Sequence, residues 1–179
     1  MSYLVRKINK RKNIDELRDI VDIKNVCADM PTGEFKTSNK GDLSTWYIES
    51  LENLDEAVLA IAVTSSKISK MEFIVIDTTV LDRSELKYKQ TYAGVDIAIP
   101  DLQDTHYDIR ELTLGKLENC CEVYKTVLQD DNGSEKYVVR YAEGTIRDLM
   151  RTAAKDGRVD ISLAQGKIKE EFQKILNAI

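Results

Sequence analysis

Residues 43–79 decide the fold class, and they read LSTWYIESLENLDEAVLAIAVTSSKISKMEFIVIDTT. Leu43–Ile48 is rich in aromatic and β-branched residues, which favours a strand. Leu54–Thr64 is apolar almost all round, as a buried helix is, and Lys70–Thr79 is a hydrophobic strand. Strand, helix and strand in this order predict a βαβ unit, whose two strands run parallel in one sheet with a right-handed connection.

The flanking segments add further elements around this unit. Tyr3–Ile8 is predicted as a first strand, and Asn13–Ile20 as a short helix capped by its asparagine. Tyr92–Ile99 is predicted as another strand, broken by Gly94 and ended by Pro100.

The C-terminal third is predicted to be mainly helical. Ile109–Leu128 and Thr145–Lys155 carry apolar residues at helical spacing, whereas Lys136–Tyr141 fits either a strand or a helix start. A last helix is expected to begin at a capping box on Ser162. Its apolar stripe must be covered by the sheet, by the preceding helices or by a second copy in a homodimer. The stripe consists of Ile168, Phe172, Ile175, Leu176 and Ile179.

Together these elements predict an α/β or α+β protein: a small mixed sheet with a βαβ unit and helices packed on it. Residues 1–100 form the sheet-containing body, and residues 101–179 form the mainly helical part. A chain of 179 residues is expected to fold as one cooperative domain.

Composition indicates a protein of the cytoplasm. The longest apolar run, Ala57–Val63, is far below the roughly 20 residues that span a bilayer, so no membrane partner is expected. The N-terminus lacks the apolar centre of a secretory signal. Three cysteines, two of them adjacent, do not form a disulfide framework.

The net charge of −5 is unevenly distributed. Residues 91–135 hold ten acids against three bases, a net charge of −7. The opposite charge is concentrated near the N-terminus, in Arg6, Lys7, Lys10, Arg11 and Lys12. These five residues are candidates for salt-sensitive contacts with nucleic-acid phosphates, although acids follow at once and a short charge run is usually a solvated face.

The only histidine lies in a cluster of acids. Asp101, Asp104, His106 and Asp108 are candidate catalytic residues of a metal-dependent hydrolase or nuclease, because carboxylates and one imidazole can hold a divalent ion. The alternative is that the acids are loop and capping residues ahead of the Ile109 helix. The spacing matches no metal motif, so neither a metal nor a cofactor is expected.

Aromatic residues offer a different kind of site. Amphipathic aromatic side chains, which are candidates for partner binding, occur at Trp46, Tyr47, Tyr88, Tyr92 and Tyr107. They fit a sheet equally well.

The stretches YLVRKINK at 3–10 and LSTWYIESLENLDEAVLAI at 43–61 resemble small proteins of bacterial genomes, often from mobile or variable regions. The resemblance implies a bacterial origin but no activity and no functional residue.

These patterns favour a non-enzymatic protein-interaction module: a regulator, an inhibitor or an accessory subunit that binds another protein or itself. The uneven charge favours electrostatic docking. The hydrolase and the nucleic-acid binder remain the alternatives.

Overall fold

The computed structural model of the chain describes residues 1–36, 41–93, 96–131 and 136–178. Within them, the strands are β1 Tyr3–Lys7, β2 Leu43–Ile48, β3 Met71–Asp77, β4 Lys87–Gln90, β5 His106–Arg110 and β6 Val138–Tyr141. The α-helices are α1 Arg11–Asp19, α2 Asp29–Glu34, α3 Leu54–Val63, α4 Thr78–Arg83, α5 Leu114–Asp131, α6 Glu143–Lys155 and α7 Gly166–Leu176. Short 3₁₀ turns cover Ile23–Asn25, Leu51–Asn53 and Pro100–Thr105.

Within the described residues, the strands belong to one sheet in the order β4-β5-β2-β1-β3-β6. Every neighbouring pair is antiparallel, so the sheet is not the mixed one that the sequence predicted. β2 and β3 are each antiparallel to β1, so they run in the same direction, as the strand-helix-strand pattern predicts. They are not neighbours, however, because β1 lies between them in a split βαβ arrangement. Leu4 and Val5 of β1 are fully buried, one on each face, which suits a central strand.

Helices cover both faces of the sheet and give three layers. The first face, which carries Val5 and Phe73, packs against α3, α6 and α7. The second face, which carries Leu4 and Ile74, packs against α1, α2, α4 and α5. The prediction of a mixed α/β fold with a helical C-terminal part is confirmed.

The apolar stripe of α7 packs on its own chain. Ile168, Phe172 and Ile175 are buried in the same core as Ile146 and Met150 of α6. Of the alternatives for covering this stripe, the preceding helices therefore cover its buried part, which leaves less apolar surface for a homodimer through this helix. Ile179 lies outside the described residues.

Three predicted helix starts are wrong. α1 begins at Arg11, with Lys10 at the N-cap position, so Asn13 lies within the helix and does not cap it. α5 begins at Leu114 and not at Ile109, because residues 106–110 pair with β2 as a strand. α7 begins at Gly166, so Ser162 caps no helix. The amide N–H of Ser162 instead donates to the Asp160 carboxylate in the turn before α7.

Two predictions about strands are also resolved. The described residues of the predicted strand Tyr92–Ile99 form no strand, and Gly94 lies outside the described residues. The sequence of Lys136–Tyr141 fitted either a strand or the start of a helix, and the structure shows a strand, β6, in this segment. β5 and β6 come from residues 101–179, so both parts of the chain supply strands to the sheet.

Gly41 leads into β2 with a φ of +75°, and a Cβ there would lie 2.9 Å from the carbonyl oxygen of Leu112. We expect Gly41→Ala to lower the free energy of unfolding by about 1–3 kcal/mol, because it adds both a clash and a left-handed alanine. Urea unfolding followed by circular dichroism measures the change.

Gly144 of α6 is the matched control, because a Cβ there meets nothing within 4 Å. Gly144→Ala should raise the free energy of unfolding by up to about 1 kcal/mol. Equal effects of the two substitutions would contradict the account of Gly41.

Candidate functional site

His106 is enclosed on the first face of the sheet. It is 5% exposed, and its ring meets Trp46 edge-on with centroids 5.0 Å apart. Its Nδ1 lies 2.9 Å from Thr91 Oγ1, which itself lies 2.9 Å from Asp108 Oδ2. Because an ionised carboxylate only accepts hydrogen bonds, the Thr91 hydroxyl donates to Asp108 and accepts from His106. This chain of hydrogen bonds selects the imidazole tautomer with its proton on Nδ1.

Burial lowers the pKa of His106, and the Asp108 carboxylate and a hydrogen bond with the main chain of Thr91 offset part of that effect. The imidazole is therefore neutral at pH 7. Thr91 was not among the residues predicted for this site, because no sequence spacing links a threonine to a histidine on a neighbouring strand.

The other predicted catalytic residues lie elsewhere. Arg158 Nε donates to Asp101 at 2.9 Å, and the same guanidinium forms two hydrogen bonds with Glu56, at 3.0 and 2.7 Å. Asp104 is exposed, and its carbonyl accepts from Gln90 Nε2 at 2.6 Å. The structure thus brings His106 and Asp108 together but leaves Asp101 and Asp104 apart from them.

Two consequences follow for the acid cluster. Among the described residues, no group of three or more His, Cys, Asp or Glu side chains is arranged to hold a metal ion. The capping role that the alternative gave to Asp108 is wrong, because Asp108 lies within β5 and the next helix begins at Leu114.

The five basic residues near the N-terminus do not share one solvent-facing patch. The Arg6 guanidinium points inward and donates to the carbonyl oxygens of Ser44, at 2.8 Å, and Glu34, at 3.3 Å. Arg11 lies 3.7 Å from the Glu72 carboxylate. The remaining three are Lys7, which is half-buried, and Lys10 and Lys12, which are exposed.

The aromatic candidates separate into enclosed and accessible residues. Trp46 is buried, whereas Tyr92 is 59% exposed. Tyr88 and Tyr107 lie on the second face of the sheet together with Tyr47, and all three are half-buried. Their ring centroids are 5.0 Å apart for Tyr47 and Tyr107, and 6.5 Å apart for Tyr88 and Tyr107. We call these three residues the tyrosine patch.

The tyrosine patch adjoins a free strand edge. β4 is the last strand of the sheet, and among the described strands it pairs only with β5. The Thr91 N–H continues this ladder and donates to the carbonyl of His106 at 3.0 Å. Hydrogen-bonded and non-hydrogen-bonded pairs alternate in an antiparallel ladder, so Lys89 also bonds to β5. The main-chain N–H and C=O groups of Tyr88 and Gln90 consequently point to the free edge.

An open cleft of about 620 Å³ lies beside β4. Its lining includes Lys87, Tyr88 and Lys89 of β4, with Asp82, Arg110 and Glu111 around them. Aromatic surface, charge and outward-facing main chain therefore occur together at one accessible place.

No protein-family model matches the chain, and comparisons with the curated proteins and with the solved structures find no match. In the part of the chain that the structure describes, no helix is both long and apolar enough to cross a membrane.

Thr91→Val tests the hydrogen-bonded chain around His106. We expect it to lower the free energy of unfolding by about 1–3 kcal/mol, because the buried Nδ1–H and the Asp108 carboxylate both lose a partner. Thr152 of α6 is exposed, so Thr152→Val should change the value by no more than about 0.5 kcal/mol. Similar losses in the two variants, measured in urea, would count against this hydrogen-bonded chain.

The lowered pKa of His106 also predicts a pH dependence of stability. As pH falls below about 6.5, the unfolded chain takes up the proton more readily than the folded one, so the fold loses stability. His106→Asn keeps a donor for Thr91 but cannot titrate. Its free energy of unfolding should therefore fall less than that of the wild type between about pH 7.5 and about pH 5.5. Parallel profiles would show that His106 does not carry this dependence.

The three cysteines should differ in reactivity. Cys27 is exposed, whereas burial raises the pKa of both Cys120 and Cys121 to about 12. Because the thiolate is the reactive form, a disulfide reagent should titrate one thiol in the native protein and all three in denaturant. Rapid titration of more than one native thiol would contradict the burial of the pair.

Proposed function

We propose that the chain is a non-enzymatic protein-interaction module, a regulator, inhibitor or accessory subunit, that binds an extended segment of its partner along the free edge of β4. One observation carries this proposal. The main-chain groups of Tyr88 and Gln90 face outward at a strand edge that borders an open cleft. A partner segment that adds a strand there would gain main-chain hydrogen bonds, as in other cases of strand addition.

The tyrosine patch supports the same proposal. Tyrosine is enriched at protein interfaces because its ring buries a large area and its hydroxyl stays compatible with water. The half-buried rings of Tyr47, Tyr88 and Tyr107 are already ordered against one another. A partner would therefore bind them at little cost in side-chain entropy.

The polar groups of the rival sites are engaged within the fold. His106 and Asp108 are bridged by Thr91, and Asp101 is held by Arg158. Arg6 of the basic segment donates to main-chain oxygens of its own chain. These contacts favour binding over catalysis, and a protein partner over nucleic acid.

The three free cysteines and the resemblance to bacterial proteins support a bacterial cytoplasm as the setting of this function.

Gln90→Pro tests the edge directly. Proline removes the outward N–H of residue 90 and leaves the bonds of Lys89 to β5 in place, and edge strands tolerate proline when its nitrogen faces solvent. We expect the recovery of the partner from cells that naturally express the chain to fall about tenfold, because an edge hydrogen bond is lost. Quantitative mass spectrometry of the captured material measures the change.

Gln90→Ala is the control, because Gln90 also donates to the carbonyl of Asp104 through its side chain. This variant should recover the partner as the wild type does. On binding, the amides of Tyr88 and Gln90 should also become protected from hydrogen exchange. Full recovery with folded Gln90→Pro, or no protection at β4, would refute the proposal.

A further inference from the structure

We infer that the segment bound at β4 is acidic, with carboxylates at every second residue and apolar side chains between them. The inference rests on the proposed function, because it concerns the occupant of the same edge. It commits to one kind of occupant, an extended acidic segment of a partner protein.

The spacing of the charges on β4 supports this occupant. Lys87 and Lys89 are two residues apart and therefore share one face of the strand, which is the face that carries His106 and Asp108. Both lysines are exposed, and they are the only charged residues of this four-residue strand. Side chains directly opposite each other on neighbouring strands interact, so two carboxylates at the same spacing would each meet one lysine.

These lysines are available for new ion pairs. Among the described residues, Lys89 forms no ion pair, and the Asp108 carboxylate across from it accepts from Thr91. Lys87 lies 3.3 Å from Glu111, but the two side chains are 72% and 60% exposed. Such an exposed pair is weak and can exchange for another carboxylate. Arg110, across from Lys87, lies 3.7 Å from the Asp42 carboxylate, which offsets its charge.

The opposite face of β4 explains the apolar residues of the inferred pattern. Tyr88 projects there, towards Tyr107 of the tyrosine patch. Residues of an incoming strand that alternate with the carboxylates would lie against these rings. An acidic and apolar alternation thus matches both faces of the edge at once.

Lysine on an edge strand can also serve to prevent strand pairing. The two roles predict opposite results when the lysines are removed. If they bind carboxylates, affinity for an acidic strand falls. If they only protect the edge, strand addition improves.

The experiment uses three end-blocked, fluorescently labelled peptides in which valine alternates with glutamate, glutamine or lysine. Binding is measured by fluorescence anisotropy, and the amide resonances of Tyr88 and Gln90 report its location. We expect the glutamate peptide to bind about tenfold more tightly than the glutamine peptide at low salt, and this advantage to shrink as salt is added.

The double variant Lys87→Ser, Lys89→Ser should abolish the advantage of the glutamate peptide. Lys12→Ser, Lys24→Ser is the matched control, because it removes the same charge from exposed positions away from β4. That control should leave the advantage unchanged.

Three outcomes would overturn the inference. In the first, the glutamine peptide binds at Tyr88 and Gln90 as tightly as the glutamate peptide, which refutes the acidic preference but leaves strand addition intact. In the second, removal of the lysines strengthens binding of every peptide, which assigns them to edge protection. In the third, no peptide shifts these two resonances, which refutes binding of an acidic strand at β4. The proposed function is then judged separately, by the capture experiment with Gln90→Pro.

Discussion

β1 lies between β2 and β3, and this placement organises both the hydrophobic cores and the order of the strands. Leu4 and Val5 are fully buried on opposite faces, so this strand joins both hydrophobic cores. Arg6 extends the same strand into a polar contact with the carbonyl of Glu34 at the end of α2. The buried Glu34 carboxylate in turn accepts the main-chain N–H of Asn9 at 3.0 Å. One strand therefore positions the sheet and the helices that follow it.

The central place of β1 also determines where the sheet ends. β2 pairs with β1 along one edge and with β5 along the other. β4 then pairs with β5 and is the last strand of the sheet. His106 and Asp108 of β5 are then enclosed beneath the segment that follows β4, where Thr91 satisfies them. The main chain and the tyrosines at the end of the sheet stay accessible. The same topology that encloses the histidine creates the edge for which we propose a function.

Part of the fold could be predicted because its signals are local. β2, α3, β3 and α6 follow from apolar runs and helical spacing that tertiary contacts reinforce. The structure around Ile109 could not be predicted in this way. Its apolar spacing fits both a helix and a strand, and in the fold Ile109 pairs as a strand with Leu43 of β2. For the site, the sequence pointed to Tyr47, Tyr88 and Tyr107 as aromatic candidates but not to Thr91, because no sequence spacing links this threonine to His106 and Asp108.

Local sequence patterns were sufficient to predict the fold class, the buried helix between two strands of one direction, and the residue types available for a site. The position of β1 between those strands, the position of β4 at an edge, and the pairing of Arg158 with Glu56 and Asp101 could be seen only in the folded chain. The two kinds of feature differ in the range of the interactions that set them. Periodicity and capping act within a few residues, whereas strand order and ion-pair choice are set by competition among groups far apart in the chain.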